Sequence, residues 1–410
     1  MAAEAGLPPL SGVTVIEIGN FLAAPFAALQ LADLGAQVIK VESPQGGDAV
    51  RAVGPFLAGE SSPFMRINRN KQSVALDLRT AGGLVAARTL IERADVLIEN
   101  LRPGAMDQLG LSYDELRQRN PRLVYASATG WGRTGPLARQ PGLDIMAQAR
   151  SGLMSINGQP GGEPSKVGVP ICDLVSALYL ALGIVAALRA RDRDGVGQAV
   201  EVSLYESGVS FAVWEAGKFF ATGEVATPQG SAHQSMAPYQ AIATRDGHIT
   251  IGAVTPKTWS SFCAVLGLDD VAADVRFKTA SSRYEHRAPL ISLIERATTK
   301  WAKQELTDAL VTAGVPCAPL ATYGEVFTDE NLVNEGFYWE AEHPALGQVR
   351  QLGSPVRLSR TPVRRGPAGP ALGFGTRTVL TAAGLPPGEI DELLRSGAAF
   401  QSADQPAAAP

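Results

Sequence analysis

The sequence predicts an α/β protein: an open parallel sheet covered by helices and built from both ends of the chain, with a smaller α/β domain inserted between them. Three observations lead there. Through the first half, short apolar runs rich in Val and Ile alternate with stretches of 3.6-residue periodicity, the pattern of strands buried on both faces and joined by helices. The chain has 410 residues, more than one hydrophobic core usually spans, so two domains are expected. Near Gly223 the pattern changes, and a loop of small and polar residues leads into a hairpin and a run of helices.

Element by element, VTVIEIG (13–19) reads as a buried first strand, PFAALQLADLGA as a helix ended by Gly35, and QVIKVES as a second strand. SVALDL, a helix at 82–93, ADVLIEN, a short helix in AMDQLG, a helix from Tyr113 and the strand RLVYASATG continue the alternation. A long apolar helix starts at Asp173, followed by the strand QAVEVSL and a further helix. Its stretch 174–190 is about as long as the shortest membrane-spanning helices. It carries Ser176, Tyr179 and Gly183 and runs into the charged turn RDRDGVGQ, so it is read as the core helix of a globular domain. In the smaller domain, QAIATRDGHITIGA is a hairpin turning at Asp246 and Gly247, with helices at 256–266, 288–297 and 303–313. The expected division is 1–224 with 331–400 for the large domain and 225–330 for the small one, with a final helix at 387–396 and a disordered tail at 401–410.

The net charge of −4 gives no basic surface for nucleic acid or an acidic membrane, so neither is an expected partner and any anion site must be a local cluster. Cys172, Cys263 and Cys317 form no CxxC pair and no metal-ligand spacing, so no metal is expected and a reducing, cytoplasmic setting is the simplest reading. MAAEAGLPPL lacks the basic and apolar regions of a signal peptide.

The first strand-to-helix turn, IGNFLAAP, has no GxGxxG, which argues against a dinucleotide site. Ligands in such sheets still bind at the carboxyl ends of strands, which singles out the loops 19–25, 43–51, 100–104 and 129–136. They combine glycines with Arg51, Arg102 and Arg133, and Arg69, Lys71 and Arg79 lie in the intervening NRNKQSVALDLR. Backbone N–H groups and guanidinium groups together suit a phosphorylated cofactor. Taken singly, each loop reads as a turn with solvated charges.

Six segments in order, EIGNFLAAPFAALQLADLGAQVIKVESPQGGDAVR, NRNKQSVALDL, ADVLIENLRPGAMDQLGL, ASATGWGRTGP, DGVGQAVEVSLYES and GVPCAPL, resemble the class III CoA-transferase family, also called CaiB/BaiF. GSAHQSMAPYQAIATRDGHITIGA looks most like the branch that includes succinyl-CoA:glutarate CoA-transferase. The resemblance implies a Rossmann-like large domain, an interlocked homodimer, coenzyme A thioesters as substrates and no tightly bound cofactor. It implies that Asp173, in VGVPICDLVSALY, is the nucleophile that attacks the thioester and carries CoA. An aspartate at a helix start can accept backbone N–H bonds and lies at the positive end of the dipole, which would keep it ionised. On position alone it reads as an ordinary cap.

The resemblance also places CoA contacts at Leu22, Ala23, Ser43, Leu76, Asp77, Leu78, Arg79, Asn100, Leu101, Arg102, Gln108, Thr129, Gly130, Trp131 and Gly132. Ser43, Gln108 and Thr129 stand where the related formyl-CoA transferase has basic residues, so Lys71, Arg102 or Arg133 is expected to compensate. The acyl substrate, a small dicarboxylate with succinyl-CoA as donor, is expected against His233 and Ser235, with Gln234 and Tyr239 on the same loop. The alternative within the fold is an α-methylacyl-CoA racemase. Its histidine position is Leu143 here and its glutamate position Ala243, and none of His233, His248, His286 and His343 is near in sequence to the first. ALGFGT near Leu372 departs from the Glu/Gln-His that relatives carry between glycine and threonine.

Overall fold

The computed structural model describes residues 6–343 and 345–402, so residues 403–410 of the expected tail lie outside the described residues. The chain divides into two units. The first takes residues up to Leu153, Val167–Phe220 and the chain from Val333 on; the second takes Met154–Lys166 and Ala221–Leu332. Residues 154–166, which the sequence reading left in the large domain, join the second unit, where Gly230 N–H bonds the Gly158 carbonyl at 2.8 Å.

In the first unit the strands are β1 (Thr14–Ile18), β2 (Gln37–Glu42), β3 (Lys71–Leu76), β4 (Val96–Glu99), β5 (Val124–Thr129) and β6 (Ala199–Ser203). They form one parallel sheet in the order β3-β2-β1-β4-β5-β6. This is a doubly wound order, reversing between β1 and β4. Helices include α1 (Ala23–Asp33), α2 (Ala81–Glu92), α3 (Tyr113–Arg119), α4 (Asp144–Arg150), α5 (Ile171–Asp194), α6 (Leu204–Ser210) and α7 (Val213–Thr222). Alternate residues of each strand enter two cores: Val15, Val38, Val96 and Val124 face α1 and α5, while Ile16, Ile39, Val74 and Leu97 face α2 and α3. Burial on both faces is what makes these strands near-continuous apolar runs.

Strand β3 begins two residues earlier than the sequence suggested, because Lys71 and Gln72 pair with Val38 and Ile39. At the far edge a two-residue strand, Ala399–Phe400, runs antiparallel to β3. The GFG departure sits beside it. Gly373 has φ 68°, its N–H donates to Ser73 Oγ at 2.8 Å, and an added Cβ would lie 2.6 Å from the Phe400 carbonyl oxygen. No larger residue fits there without shifting the backbone.

Helix α5 has the length and composition of a membrane span, yet one side of it, from Ala177 to Leu188, packs into the sheet core. Leu178, Tyr179, Leu182 and Val185 on its other side are exposed, as are Phe219 and Phe220 of α7.

The second unit has a three-stranded antiparallel sheet of β7 (Tyr239–Thr244), β8 (Gly247–Gly252) and β9 (Cys317–Pro319), packed on α8 (Pro256–Leu266), α9 (Arg287–Thr298) and α10 (Lys303–Thr312). Thr244 pairs with Gly247, so the hairpin turns at Arg245 and Asp246, one residue before the expected place. Asp246 is held there by the Lys303 N–H, 2.6 Å from Oδ1.

Candidate active site

The sheet reverses between β1 and β4, and the loops leaving those two strands are locked together. Asn100 accepts from the Asn20 N–H at 2.9 Å and donates to the Asn20 carbonyl at 2.8 Å. Phe21, at φ 61°, donates its N–H to Asp48 at 3.1 Å. Beneath this turn lies a buried ionic cluster. Glu17 faces Lys40 across β1 and β2. Its two oxygens meet Lys40 Nζ at 2.6 Å and Lys71 Nζ at 2.8 Å. Lys40 also donates to the Gly19 carbonyl and Lys71 to the Pro25 carbonyl, each at 2.8 Å. Buried charges persist only when paired and hydrogen-bonded, and here the pairing fixes both ends of the first strand-to-helix turn.

This corrects one expectation. Lys71 is 4% exposed, and its third hydrogen bond goes to Asn68 at 2.8 Å. Burial pushes its ammonium down to about 8. It cannot reach a phosphate. Arg69 is likewise taken, by Asp33.

Two clefts open at the carboxyl ends of the strands. One, of about 330 Å³, is lined by Ser43, Leu76, Asp77, Leu78, Arg79 and Leu101 among others. The second, of about 930 Å³, takes Leu101, Arg102, Gln108 and Thr129 together with Glu99, Asp107, Arg133 and Arg139. Leu101 belongs to both, so nine of the positions expected to touch CoA lie along two adjoining clefts. Ala23 is instead buried at the start of α1, with Leu22 before it as the helix's N-cap. Asn100 is the clamp described above. Gly130, Trp131 and Gly132 shape the turn after β5: Trp131 Nε1 donates to the Pro141 carbonyl at 3.1 Å, and a Cβ on Gly130 would stand 2.9 Å from Gly142 Cα.

The cations differ in their freedom. Arg79 is exposed but pairs with Asp77 at 2.8 Å, which holds that carboxyl down at about 2. Arg133 has Glu201 at 3.4 Å. Among the described residues, the guanidinium groups of Arg102 and Arg139 make no hydrogen bond or ion pair. Glu99 sits among them, 6% exposed. Burial pushes its carboxyl up to about 7, with Asp107 and Glu201 adding to the effect and the Leu101 N–H and Arg133 opposing it. Sequence reading missed Glu99; its place at the end of a buried strand was the available signal.

Asp173 is the third residue of α5 and lies in the first unit. It is not a cap. The residue before the helix is Pro170, and the first-turn N–H groups of Cys172 and Asp173 donate instead to Asp144 Oδ1, at 2.9 and 3.4 Å. The Asp173 carboxylate accepts no hydrogen bond and makes no ion pair among the described residues. Burial, and then the charge of Asp144, push it up to about 7. The expected stabilisation of its ionised form by N–H donors is therefore absent, because Asp144 occupies them. Leu143, at the racemase histidine position, is the N-cap of α4 and 62% exposed, and it supplies no base.

His233 and Ser235 lie in the second unit. The His233 ring stacks on Tyr239, centroids 5.0 Å apart, and its Nδ1 accepts from the Ser235 N–H at 3.2 Å. A cavity of about 630 Å³ in this unit is lined by Gln229, Ser231, Gln240, His248, Arg287 and Glu295 among others, and neither His233 nor Ser235 lines it.

The family model for CoA-transferase family III matches residues 10–376. The chain is 34% identical over 398 residues to the mouse succinyl-CoA:glutarate CoA-transferase, covering 95% of this chain and 90% of that one. It is 36% identical over 389 residues to the succinyl-CoA:mesaconate CoA-transferase of Haloarcula marismortui, covering 92% and 97%. The crystal structure of a CAIB/BAIF family protein from Brucella suis superposes with a TM-score of 0.84 at 34% identity, covering 92% of this chain and all of that one. The chain therefore belongs to CoA-transferase family III, and its activity is that of a CoA-transferase, using CoA thioesters as substrates.

Proposed function

We propose that this enzyme moves CoA from succinyl-CoA to a small dicarboxylic acid through a covalent aspartyl-CoA intermediate on Asp173. The observation that carries the reading is the state of that carboxylate: first turn of a helix packed on the sheet, no hydrogen-bond partner among the described residues, and a proton affinity raised to about 7. A carboxylate satisfied by capping bonds is a poor nucleophile, whereas a desolvated one without partners is an activated nucleophile. An Asp173 oxygen attacks the thioester carbonyl, the C–S bond breaks, and the electron pair leaves with the CoA thiolate. The thiolate then attacks the aspartyl carbonyl of the mixed anhydride. Donor carboxylate is released, and CoA is left as a thioester on Asp173. The acceptor acid reverses both steps. Water must be kept out, because it would hydrolyse the anhydride.

The pantetheine and nucleotide parts are assigned to the two adjoining clefts, with Arg79, Arg102, Arg133 and Arg139 available to phosphate oxygens. The dicarboxylate is supported by the names of the two relatives, each of which pairs succinyl-CoA with a second dicarboxylic acid. The exposed apolar residues of α5 and α7 support a homodimer over lipid as the partner of that surface. A cytoplasmic location fits substrates of this kind. A panel of CoA donors and acids read by mass spectrometry tests the substrate. Equal use of monocarboxylates and dicarboxylates, unchanged by His233→Ala, would remove the dicarboxylate from the proposal.

A further inference from the structure

We propose that Asp144 is a positioning residue for CoA transfer: it caps the helix that carries Asp173, and its fixed negative charge favours the acylated, uncharged states of Asp173 over the free carboxylate. The inference rests on Asp173 being the nucleophile, as proposed above.

The first turn of a helix leaves N–H groups without partners, and a proline before it supplies no side-chain acceptor. At α5 the acceptor comes from 28 residues upstream, where Asp144 opens α4. Its Oδ1 takes the N–H groups of Cys172 and Asp173. Its Oδ2 takes Gln148 Nε2 at 2.7 Å. Gln148 is fully buried, one turn further along α4, and its own Oε1 accepts the Val167 N–H at 2.8 Å. Both oxygens of Asp144 are thus held by donors that are themselves anchored, and the carboxylate cannot swing away from α5.

This arrangement sets two carboxylates at one helix start, with no cation between them among the described residues. The other charged or titratable groups on elements packed against α5 are Asp33 on α1, Arg150 on α4, Tyr125 on β5, Glu201 on β6, and Tyr205 and Glu206 on α6. Asp33 is paired with Arg69, Glu201 lies beside Arg133, Glu206 accepts from Ser203 at 2.6 Å, and Arg150 stands over the Tyr205 ring. Of all these neighbours, only Asp144 perturbs Asp173. The adjacent Cys172 thiol stays neutral, since burial pushes it up to about 12.

Like charges at such a site oppose simultaneous ionisation. When Asp173 attacks the thioester, its negative charge moves to the departing CoA thiolate. When the thiolate returns to the aspartyl carbonyl, the charge departs with the donor carboxylate. In the anhydride and in the aspartyl-CoA thioester, the side chain at 173 is neutral, and the repulsion from Asp144 is gone. The resting enzyme holds an electrostatic strain that acylation relieves, and Asp144 is unchanged at the end of each half-reaction.

Asp144→Asn and Asp144→Ser both keep an oxygen that can cap α5 and remove the charge. Two readouts separate charge from structure: the pH profile of kcat/KM, and the fraction of enzyme carrying CoA, by intact mass, at saturating succinyl-CoA. In both variants the acidic midpoint should fall by about one pH unit or more, and the CoA-bearing fraction should drop several-fold. Asp144→Glu, which restores the charge, should keep the midpoint of the unaltered enzyme. If the unaltered enzyme forms the Asp173 adduct while both uncharged variants keep its midpoint and its CoA-bearing fraction, the role of Asp144 is refuted. If the unaltered enzyme forms no adduct at Asp173, the nucleophile assignment fails first and this inference with it.

Discussion

Lys71→Met takes away a fully buried ammonium and keeps a side chain of similar length. The structure gives that ammonium three partners at 2.8 Å, namely Glu17 Oε2, the Pro25 carbonyl and Asn68 Oδ1. The variant leaves Glu17 with Lys40 alone and orphans a carbonyl and an amide oxygen. Breaking one side of a buried, hydrogen-bonded ion pair costs about 3–5 kcal/mol. For a unit of this size that corresponds to roughly 2 °C per kcal/mol, so the midpoint of thermal unfolding should fall by about 6 to 10 °C. Affinity for CoA, measured by calorimetry below the transition, should stay within about twofold, since no phosphate can reach a group covered from every side. The decisive comparison is between the two numbers. An unchanged unfolding midpoint with CoA affinity down tenfold or more would mean that Lys71 holds a phosphate, and the structural assignment of the Glu17 cluster would be wrong.

Glu99→Gln should flatten the pH dependence of CoA binding between about 6 and 8, whereas the unaltered enzyme should weaken several-fold more than the variant toward the upper end, as a carboxyl poised at about 7 gains charge facing a polyanion. Calorimetric titrations at both pH values check this, and a constant ratio between the two proteins would contradict it. The same group affects stability with a definite sign. The folded state keeps a proton that the unfolded chain releases near 4.5, so the unaltered enzyme should lose stability relative to Glu99→Gln as pH rises from 4.5 to about 7. Gly208→Ala places a Cβ 2.7 Å from Ser151 Oγ and 2.9 Å from Cys172 Sγ. It should cost about 1–3 kcal/mol and lower kcat more than it raises KM, by displacing the first turn of α5; a kcat within twofold of the unaltered enzyme would show that the turn tolerates the shift.

The order of strands and helices was legible from the sequence because it depends on patterns a few residues long. Val and Ile runs such as VTVIEI mark strands buried on both faces, and β1 falls within one residue at each end of its expected bounds. Hidden features depend on residues far apart in the chain. Lys71 reads as a basic residue in a polar segment, and only the sheet, which brings Glu17 beside it from 54 positions away, shows that it is buried. Helix α5 starts at Ile171, two residues before the expected Asp173, and its capping acceptor is Asp144 rather than Asp173, because Asp144 reaches the turn from another helix. The hairpin in the second unit was found from its Asp-Gly pair but placed one residue late, since register follows the pairing of Thr244 with Gly247 rather than the turn residues alone.

The central claim, a covalent aspartyl-CoA intermediate, is tested most directly by mixing enzyme with succinyl-CoA alone, quenching, digesting and mapping the modified peptide by mass spectrometry. The expected result is a hydroxylamine-labile CoA adduct on Asp173, formed within one turnover time and absent from Asp173→Asn, which should also be inactive while still binding succinyl-CoA. Full turnover with no adduct at Asp173, or an Asp173→Asn variant that still transfers CoA, would contradict the account.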